Sequence, residues 1–147
     1  MLLLKTLNIN WLCKHTWMRS SYNTMWCLIG CSIGDFGTIA FFQFITTSWS
    51  VIAIMMLAIF NGLLTSILLE TIILKSQMNL KLAFKTAIGM SLISMIAMEI
   101  SMNLTDVLLT GGAILSLKVI PIMLFVGFIT PLPYNYYRLK VFKKNCH

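Results

Sequence analysis

Two cysteines and an aspartate follow one another at intervals of four residues, at Cys27, Cys31 and Asp35. Because a helix turns 100° per residue, the three side chains fall within an arc of about 80° and form a stripe two turns long. Deprotonated cysteines bind soft ions such as Cu(I) or Zn²⁺, and this spacing can direct two sulfur atoms at one ion. The stripe therefore predicts a soft-metal site with copper as the candidate ion, while a buried cysteine is also an ordinary small apolar side chain.

The remaining cysteines and both histidines extend this metal hypothesis. They lie towards the two ends of the chain, at Cys13, His15, Cys146 and His147. If both ends lie on one side of a membrane, these soft ligands could collect an ion there and deliver it to the stripe. We therefore predict that they are outer ligands of the same metal pathway.

Acidic residues supply a second candidate chemistry. The chain has only four, and three of them lie in strongly apolar stretches, at Asp35, Glu70 and Glu99. A charged side chain in hydrocarbon costs at least about 2.5 kcal/mol, so each is a candidate for proton or ion translocation. By helical rise we expect Asp35 near the midplane, Glu70 about 12 Å towards the cytoplasm and Glu99 about 9 Å towards the outside.

Apart from Lys85 near the start of the third stretch, Lys118 is the one basic residue inside an apolar stretch, at about the expected depth of Glu99. An ion pair between the two side chains would reduce the cost of burying both charges. Structural pairing is therefore the alternative to an ion-carrying role for Glu99.

The composition places these residues in a membrane protein. Of the 147 residues, 59% are hydrophobic and 10% are charged, which is far from the composition of soluble domains. Four stretches satisfy the length of about 20 apolar residues that a membrane span requires. They cover residues 25–45, 49–74, 82–103 and 113–134. Little chain lies outside them, so we expect residues 1–147 to form a single integral membrane domain.

Basic residues predict how these spans are oriented. The net charge is +7, and the lysines and arginines lie before the first span, between the second and third, and after the fourth. Under the positive-inside rule, this arrangement places both termini in the cytoplasm and requires an even number of spans. It also explains the basic charge without a nucleic-acid surface. We expect an all-α bundle of four transmembrane helices in an inner or plasma membrane, with a short interfacial helix at the N-terminus.

Small residues predict how the helices pack. Gly30 and Gly34 form a Gly-x-x-x-Gly pair, and Gly37 and Gly62 are further positions where a neighbouring helix could approach closely. Such faces, together with eleven methionines, are also typical of a subunit that packs against other membrane proteins or a second copy. Pro121 is expected to kink the fourth span.

Enzyme motifs are absent from the sequence. There is no His-Glu-x-x-His, no Gly-x-Ser-x-Gly and no phosphate-binding glycine loop. We therefore do not expect an enzyme. Three hypotheses remain open: soft-metal binding or transfer, a non-catalytic subunit of a membrane complex, and proton or ion translocation.

Several strings of the sequence resemble the integral-membrane family catalogued as domain of unknown function 4396. They are CLIGCSIGDFG at 27–37, TSILLE at 65–70, GMSLISMIAME at 89–99, PLPYNYYRL at 131–139 and the terminal Cys-His pair. The resemblance extends from about residue 17 to residue 147. It implies a small helical membrane domain without an established activity, embedded in the lipid bilayer.

Overall fold

The computed structural model describes residues 11–45, 48–76 and 78–143, and these form five helices. They are α1 (Lys14–Phe44), α2 (Val51–Lys75), α3 (Leu80–Thr110), α4 (Ile120–Ile129) and α5 (Leu132–Lys143). No strand occurs within the described ranges. The all-α prediction is confirmed.

Helix α1 is one continuous helix of 31 residues. At 1.5 Å per residue it is about 46 Å long, longer than the hydrocarbon core of about 30 Å. The sequence between Lys14 and Phe44 contains no proline, so nothing removes a backbone hydrogen bond within it. The short interfacial helix expected before the first span is therefore not a separate element in the described chain, since residues 14–24 are the first turns of α1.

Helices α2 and α3 follow α1 as antiparallel neighbours. Ser50 caps the start of α2, because its hydroxyl accepts a hydrogen bond from the Ala53 N–H at 3.3 Å. Helix α3 continues past the predicted end of its span and stops at Gly111, which adopts a left-handed conformation with φ 78°. Glycine reaches this conformation without steric cost, which is why it commonly ends helices. As α2 runs antiparallel to both neighbours, α1 and α3 are parallel.

The predicted fourth span is where the structure differs most from expectation. In the described chain, three helices are long and apolar enough to cross a membrane, at Lys14–Phe44, Val51–Lys75 and Ser91–Thr110. Residues 113–134 instead form a loop, α4 and the start of α5. Pro121 lies in the first turn of α4, where its missing N–H is not needed, so it starts this helix rather than kinking a longer one. Pro131 separates α4 from α5.

Helix α5 packs along the first half of α1. The Asn135 side-chain amide donates a hydrogen bond to the Thr24 hydroxyl at 2.8 Å, and the Tyr136 and Trp17 rings lie 4.3 Å apart between centroids. Helix α4 packs on α3. The α4–α5 pair therefore leads the chain back from the end of α3 to the beginning of α1.

Close contact between α1 and α2 depends on two of the glycines. The Thr65 hydroxyl donates a hydrogen bond to the Gly30 carbonyl at 2.6 Å. A Cβ atom at Gly30 would lie 2.6 Å from the Ser66 Cα atom, and one at Gly34 would overlap the Asn61 carbonyl. Gly37 differs from the sequence expectation, because nothing lies within 4 Å of its Cβ position. It faces away from the contact.

We expect Gly34→Ala to destabilise the protein and Gly37→Ala to be harmless. The first substitution forces α1 and α2 apart, and overpacking of this kind costs about 1–3 kcal/mol. The second adds a methyl group in open space and favours the helix by about 0.5–1 kcal/mol. Thermal unfolding of the purified proteins in detergent should show a lower Tm for Gly34→Ala alone. Equal losses in both variants would contradict the assigned contact face.

Candidate functional site

The stripe formed by Cys27, Cys31 and Asp35 lies on the inner side of α1. Cys31 and Asp35 are fully buried, and Cys27 is half-buried. Both cysteines are free thiols, and the two thiols contact each other. On α2, the Ser66 hydroxyl donates a hydrogen bond to the Cys27 carbonyl at 3.2 Å and lies 3.5 Å from the Cys27 sulfur. The stripe thus continues into a polar contact with α2.

Asn103 on α3 holds the Asp35 carboxylate. Its side-chain amide donates hydrogen bonds to Asp35 Oδ1 at 3.0 Å and to the Glu99 carbonyl oxygen at 3.1 Å. Asn103 is 1% exposed. Asn103 was not among the predicted site residues. Its spacing of four from Glu99 does indicate that the two residues share a helix face.

Glu99 occupies space that Gly62 leaves open. A Cβ atom at Gly62 would overlap the Glu99 carboxylate and would lie 3.0 Å from the Cys31 carbonyl oxygen. The Cys31 thiol lies close enough to Glu99 to contact it as a weak donor, and the Asp35 carboxylate acts on Glu99 electrostatically. Within the described part of the chain, neither Glu99 oxygen has a hydrogen-bond partner of ordinary geometry. A fully buried carboxylate therefore lies between three helices with no compensation beyond a weak thiol contact.

Asp35 and Glu99 are closer in depth than the sequence analysis expected. Asn103 lies level with Asp35, and Glu99 precedes Asn103 by one turn of α3. Because α3 continues to Thr110 instead of ending near residue 103, Glu99 lies deeper in the bundle than a span of 82–103 implies. The two acids form one cluster.

The expected ion pair between Glu99 and Lys118 is not formed. Lys118 is exposed in the turn immediately before α4. It lies there because α4 begins only at Ile120, so Lys118 is outside the helix that was expected to bury it. In the described part of the chain, the carboxyl group that acts electrostatically on Glu99 is that of Asp35. It has the same charge sign as Glu99 and so cannot replace the expected lysine partner.

Glu70 lies towards the other end of the same interior. The Ser91 hydroxyl donates a hydrogen bond to Glu70 Oε1 at 2.7 Å, whereas Oε2 has no partner among the described residues. Arg138 of α5 acts electrostatically on Glu70 and on Cys27. The packing of α5 on α1 thus brings a basic residue to this end of the bundle.

Together these side chains form a polar file along the interior of the bundle. The file consists of Glu70, Ser91, Cys27, Ser66, Cys31, Glu99, Asp35 and Asn103. From Ser91 to Asn103 it follows α3 for about 18 Å, at 1.5 Å per residue. That is more than half of the hydrocarbon thickness of about 30 Å.

An apolar wall of methionines packs beside the file. Met95, Met98 and Met102 of α3 join Met123 of α4 and Cys31 in one buried cluster. The cluster lines the helix interfaces around the acids with unbranched side chains that fill irregular space. These methionines separate the carboxylates from the surroundings of the bundle.

Asp106, the fourth acid, has a different environment. The Thr110 hydroxyl donates to its Oδ1 at 3.2 Å, and the Ile114 N–H donates to its Oδ2 at 3.1 Å. Both oxygens are therefore satisfied by the loop that follows α3. Asp106 closes this loop and is not part of the polar file.

The predicted metal ligands do not assemble in the described chain. Cys13 precedes Cys27 by 14 residues, which along a helix is about 21 Å, and His15 is exposed. Cys146 and His147 lie outside the described residues. Among the residues that the structure describes, no group of three or more His, Cys, Asp or Glu side chains could hold a metal ion. The copper hypothesis therefore has no structural support.

Fold and site define the class of this protein. It is an all-helical protein whose described part has three helices long and apolar enough to cross a membrane, with unpaired carboxylates between them. The chain belongs to the family described as Domain of unknown function (DUF4396), which matches residues 16–144. No curated protein and no solved structure matches it. The family carries no assigned activity, so function has to be argued from the site.

We expect Gly62→Ala and Glu99→Ala to be strongly coupled. Alone, Gly62→Ala displaces the Glu99 carboxylate and should lower the free energy of unfolding by about 1–3 kcal/mol. Removing that carboxylate with Glu99→Ala should relieve most of this loss, with a coupling energy of about 1 kcal/mol or more.

The measurement is a double-mutant cycle on unfolding in detergent. Gly89→Ala is the matched control, because nothing lies within 4 Å of a Cβ atom at Gly89. Its effect should be additive with that of Glu99→Ala. Additive effects of Gly62→Ala and Glu99→Ala would show that the two residues do not share this space.

Proposed function

We propose that this protein translocates protons or small cations across a membrane along the polar file. The single observation that carries the proposal is the Glu99 carboxylate, which is fully buried, has no hydrogen bond of ordinary geometry to either oxygen in the described chain, and has only the Cys31 thiol as a nearby donor. An uncompensated ionised carboxylate in an apolar interior costs several kcal/mol. Binding of a proton or another cation to the carboxylate removes the cost of burying its charge. A transported ion therefore explains why an acid lies at this position.

The neighbours of Glu99 support passage of an ion rather than a fixed structural role. Asp35 lies one turn away and is also acidic, so it cannot neutralise Glu99. A structural acid in the same protein looks different, since Asp106 has a donor for each oxygen. Glu99 and Asp35 instead keep free acceptor oxygens.

The file also has groups that can relay a proton between the acids. Hydroxyl and thiol groups both donate and accept hydrogen bonds. Ser66 contacts the Cys27 thiol, the two thiols contact each other, and the Cys31 thiol acts on Glu99. The buried methionine cluster packs beside Cys31. A proton can therefore move between Glu99 and the Cys27 level without crossing apolar surface.

We expect Asp35→Asn and Glu99→Gln to reduce ion flux at least tenfold. Each substitution keeps the shape of the side chain and removes its charge, and therefore its ability to bind a cation. The assay uses the purified protein in lipid vesicles, with a pH-sensitive dye inside and an imposed proton or cation gradient. Asp106→Asn is the matched control and should retain the wild-type rate. Wild-type flux through Glu99→Gln protein of unchanged Tm would reject the proposal.

The described basic residues support a cytoplasmic location for both termini. At the bundle end where α1 and α3 begin and α5 packs, the chain carries Lys14, Arg19, Lys75, Lys81, Lys85, Arg138 and Lys140. The described residues of the opposite end carry Lys118. This asymmetry fits the positive-inside rule. In this orientation the α4–α5 pair completes the fourth crossing.

We expect a reporter at the C-terminus to behave as a cytoplasmic one. In a bacterial host, a fused fluorescent protein should fluoresce and a fused alkaline phosphatase should be inactive. The same phosphatase inserted between Gly112 and Ala113 should be active, because this loop lies at the opposite end of the bundle. An active phosphatase at the C-terminus would overturn the orientation.

A further inference from the structure

Three buried side chains of the polar file leave four oxygen atoms without hydrogen-bond partners. They are Asp35 Oδ2, Glu99 Oε1, Glu99 Oε2 and Asn103 Oδ1. Each of these residues is at most 1% exposed. Buried polar atoms in proteins nearly always have a partner, so four orphan acceptors in one place call for an explanation.

The three side chains are linked within about one helical turn of one another. The Asn103 amide nitrogen donates to Asp35 Oδ1 at 3.0 Å and to the Glu99 main-chain carbonyl at 3.1 Å. These two bonds use both donors of the amide, so its side-chain oxygen stays available as a ligand. Asp35 acts on Glu99 electrostatically. The orphan oxygens therefore belong to one cluster built from α1 and α3.

The chemistry of this cluster is that of a hard-cation site. Carboxylate and amide carbonyl oxygens are the ligands that hard cations prefer, whereas soft ions prefer sulfur. The Asn103 amide oxygen is uncharged and does not take up a proton, so it remains available as a ligand at any pH. The Cys31 thiol also contacts Glu99, but sulfur is a soft ligand that a hard cation does not require.

The number of oxygens and the dryness of the site select among hard cations. Ca²⁺ takes six to eight oxygen ligands, more than the four oxygens that lack partners here. Mg²⁺ dehydrates reluctantly and keeps several bound waters. The apolar methionine cluster offers those waters no hydrogen-bond partners. A singly charged alkali cation loses its water at a much lower cost than either divalent ion, and sodium needs fewer oxygen ligands than the larger potassium ion.

We propose that Asp35, Glu99 and Asn103 form a binding site for a sodium ion, and that sodium is the cation carried along the polar file. The second half of this inference rests on the proposed function, whereas the binding site does not. Sodium binding satisfies the orphan oxygens and offsets the repulsion between the two carboxylates.

The test is equilibrium binding of radioactive sodium to the purified full chain in detergent, with choline as the replacement cation. Wild-type protein should bind about one sodium ion per chain. Asp35→Asn and Glu99→Gln should weaken binding at least tenfold, and Asn103→Ala should weaken it while both acids remain. Asp106→Asn changes a fully partnered acid on the same helix whose charge acts on Asp35 only from a distance, so it should weaken sodium binding far less than Glu99→Gln does. Variants are compared only where their Tm shows that they are folded.

The outcomes separate this site from the proposed function. No sodium binding by the wild type, or displacement of sodium by an equal concentration of Mg²⁺, would overturn the sodium site. Loss of binding in Asp106→Asn to the same degree as in Glu99→Gln would overturn the residue assignment. If sodium binds as expected but vesicles show no flux, the site stands and translocation fails. If Glu99→Gln abolishes proton flux while the wild type binds no sodium, translocation stands and the sodium site fails.

Discussion

The close approach of α1 and α2 is the contact on which the rest of this structure depends. Helices in a bilayer are not driven together by the hydrophobic effect, because the lipid around them is equally apolar, so packing and interhelical hydrogen bonds have to hold them. Gly30 and Gly34 allow the backbones to approach, and Thr65 donates a hydrogen bond to the Gly30 carbonyl at that point. On the same α2 segment, Gly62 leaves room for Glu99 of α3 next to the Cys31 backbone of α1.

That arrangement places charge where the bundle is tightest. The Glu99 carboxylate fits because Gly62 has no side chain, and the Asn103 amide orients Asp35 by donating a hydrogen bond to its carboxylate. Neither interaction neutralises a carboxylate. The interior therefore contains two acids close enough to act on each other electrostatically, and the packing itself creates the condition on which the proposed cation site rests. Asp106 shows that the same helix can also hold an acid in a purely structural way, with both oxygens satisfied by a loop.

Much of this could be predicted from the sequence, but its limits follow from particular residues. Long apolar stretches identified three helices, and the Gly-x-x-x-Gly pattern identified residues that lie at the α1–α2 contact. Hydropathy placed Lys118 inside a span, whereas the structure starts α4 after it, because Pro121 suits the first turn of a helix. Asn103 was overlooked because its importance comes from its contact with Asp35 on another helix. Cys27, Cys31 and Asp35 share a helix face, as their spacing predicts, yet within the described ranges this face does not bring together a group that could hold a metal ion.

The sequence by itself determined that this chain is helical, that it has membrane-spanning character and that it carries rare acids in apolar stretches. These properties depend on residue type and spacing along one helix, which are local. Only the tertiary structure decided which acids meet, which remain unpaired and which polar residue joins them. Those outcomes depend on the register between neighbouring helices, and a displacement of one turn, about 5.4 Å, would separate Glu99 from Gly62 and Asp35 from Asn103.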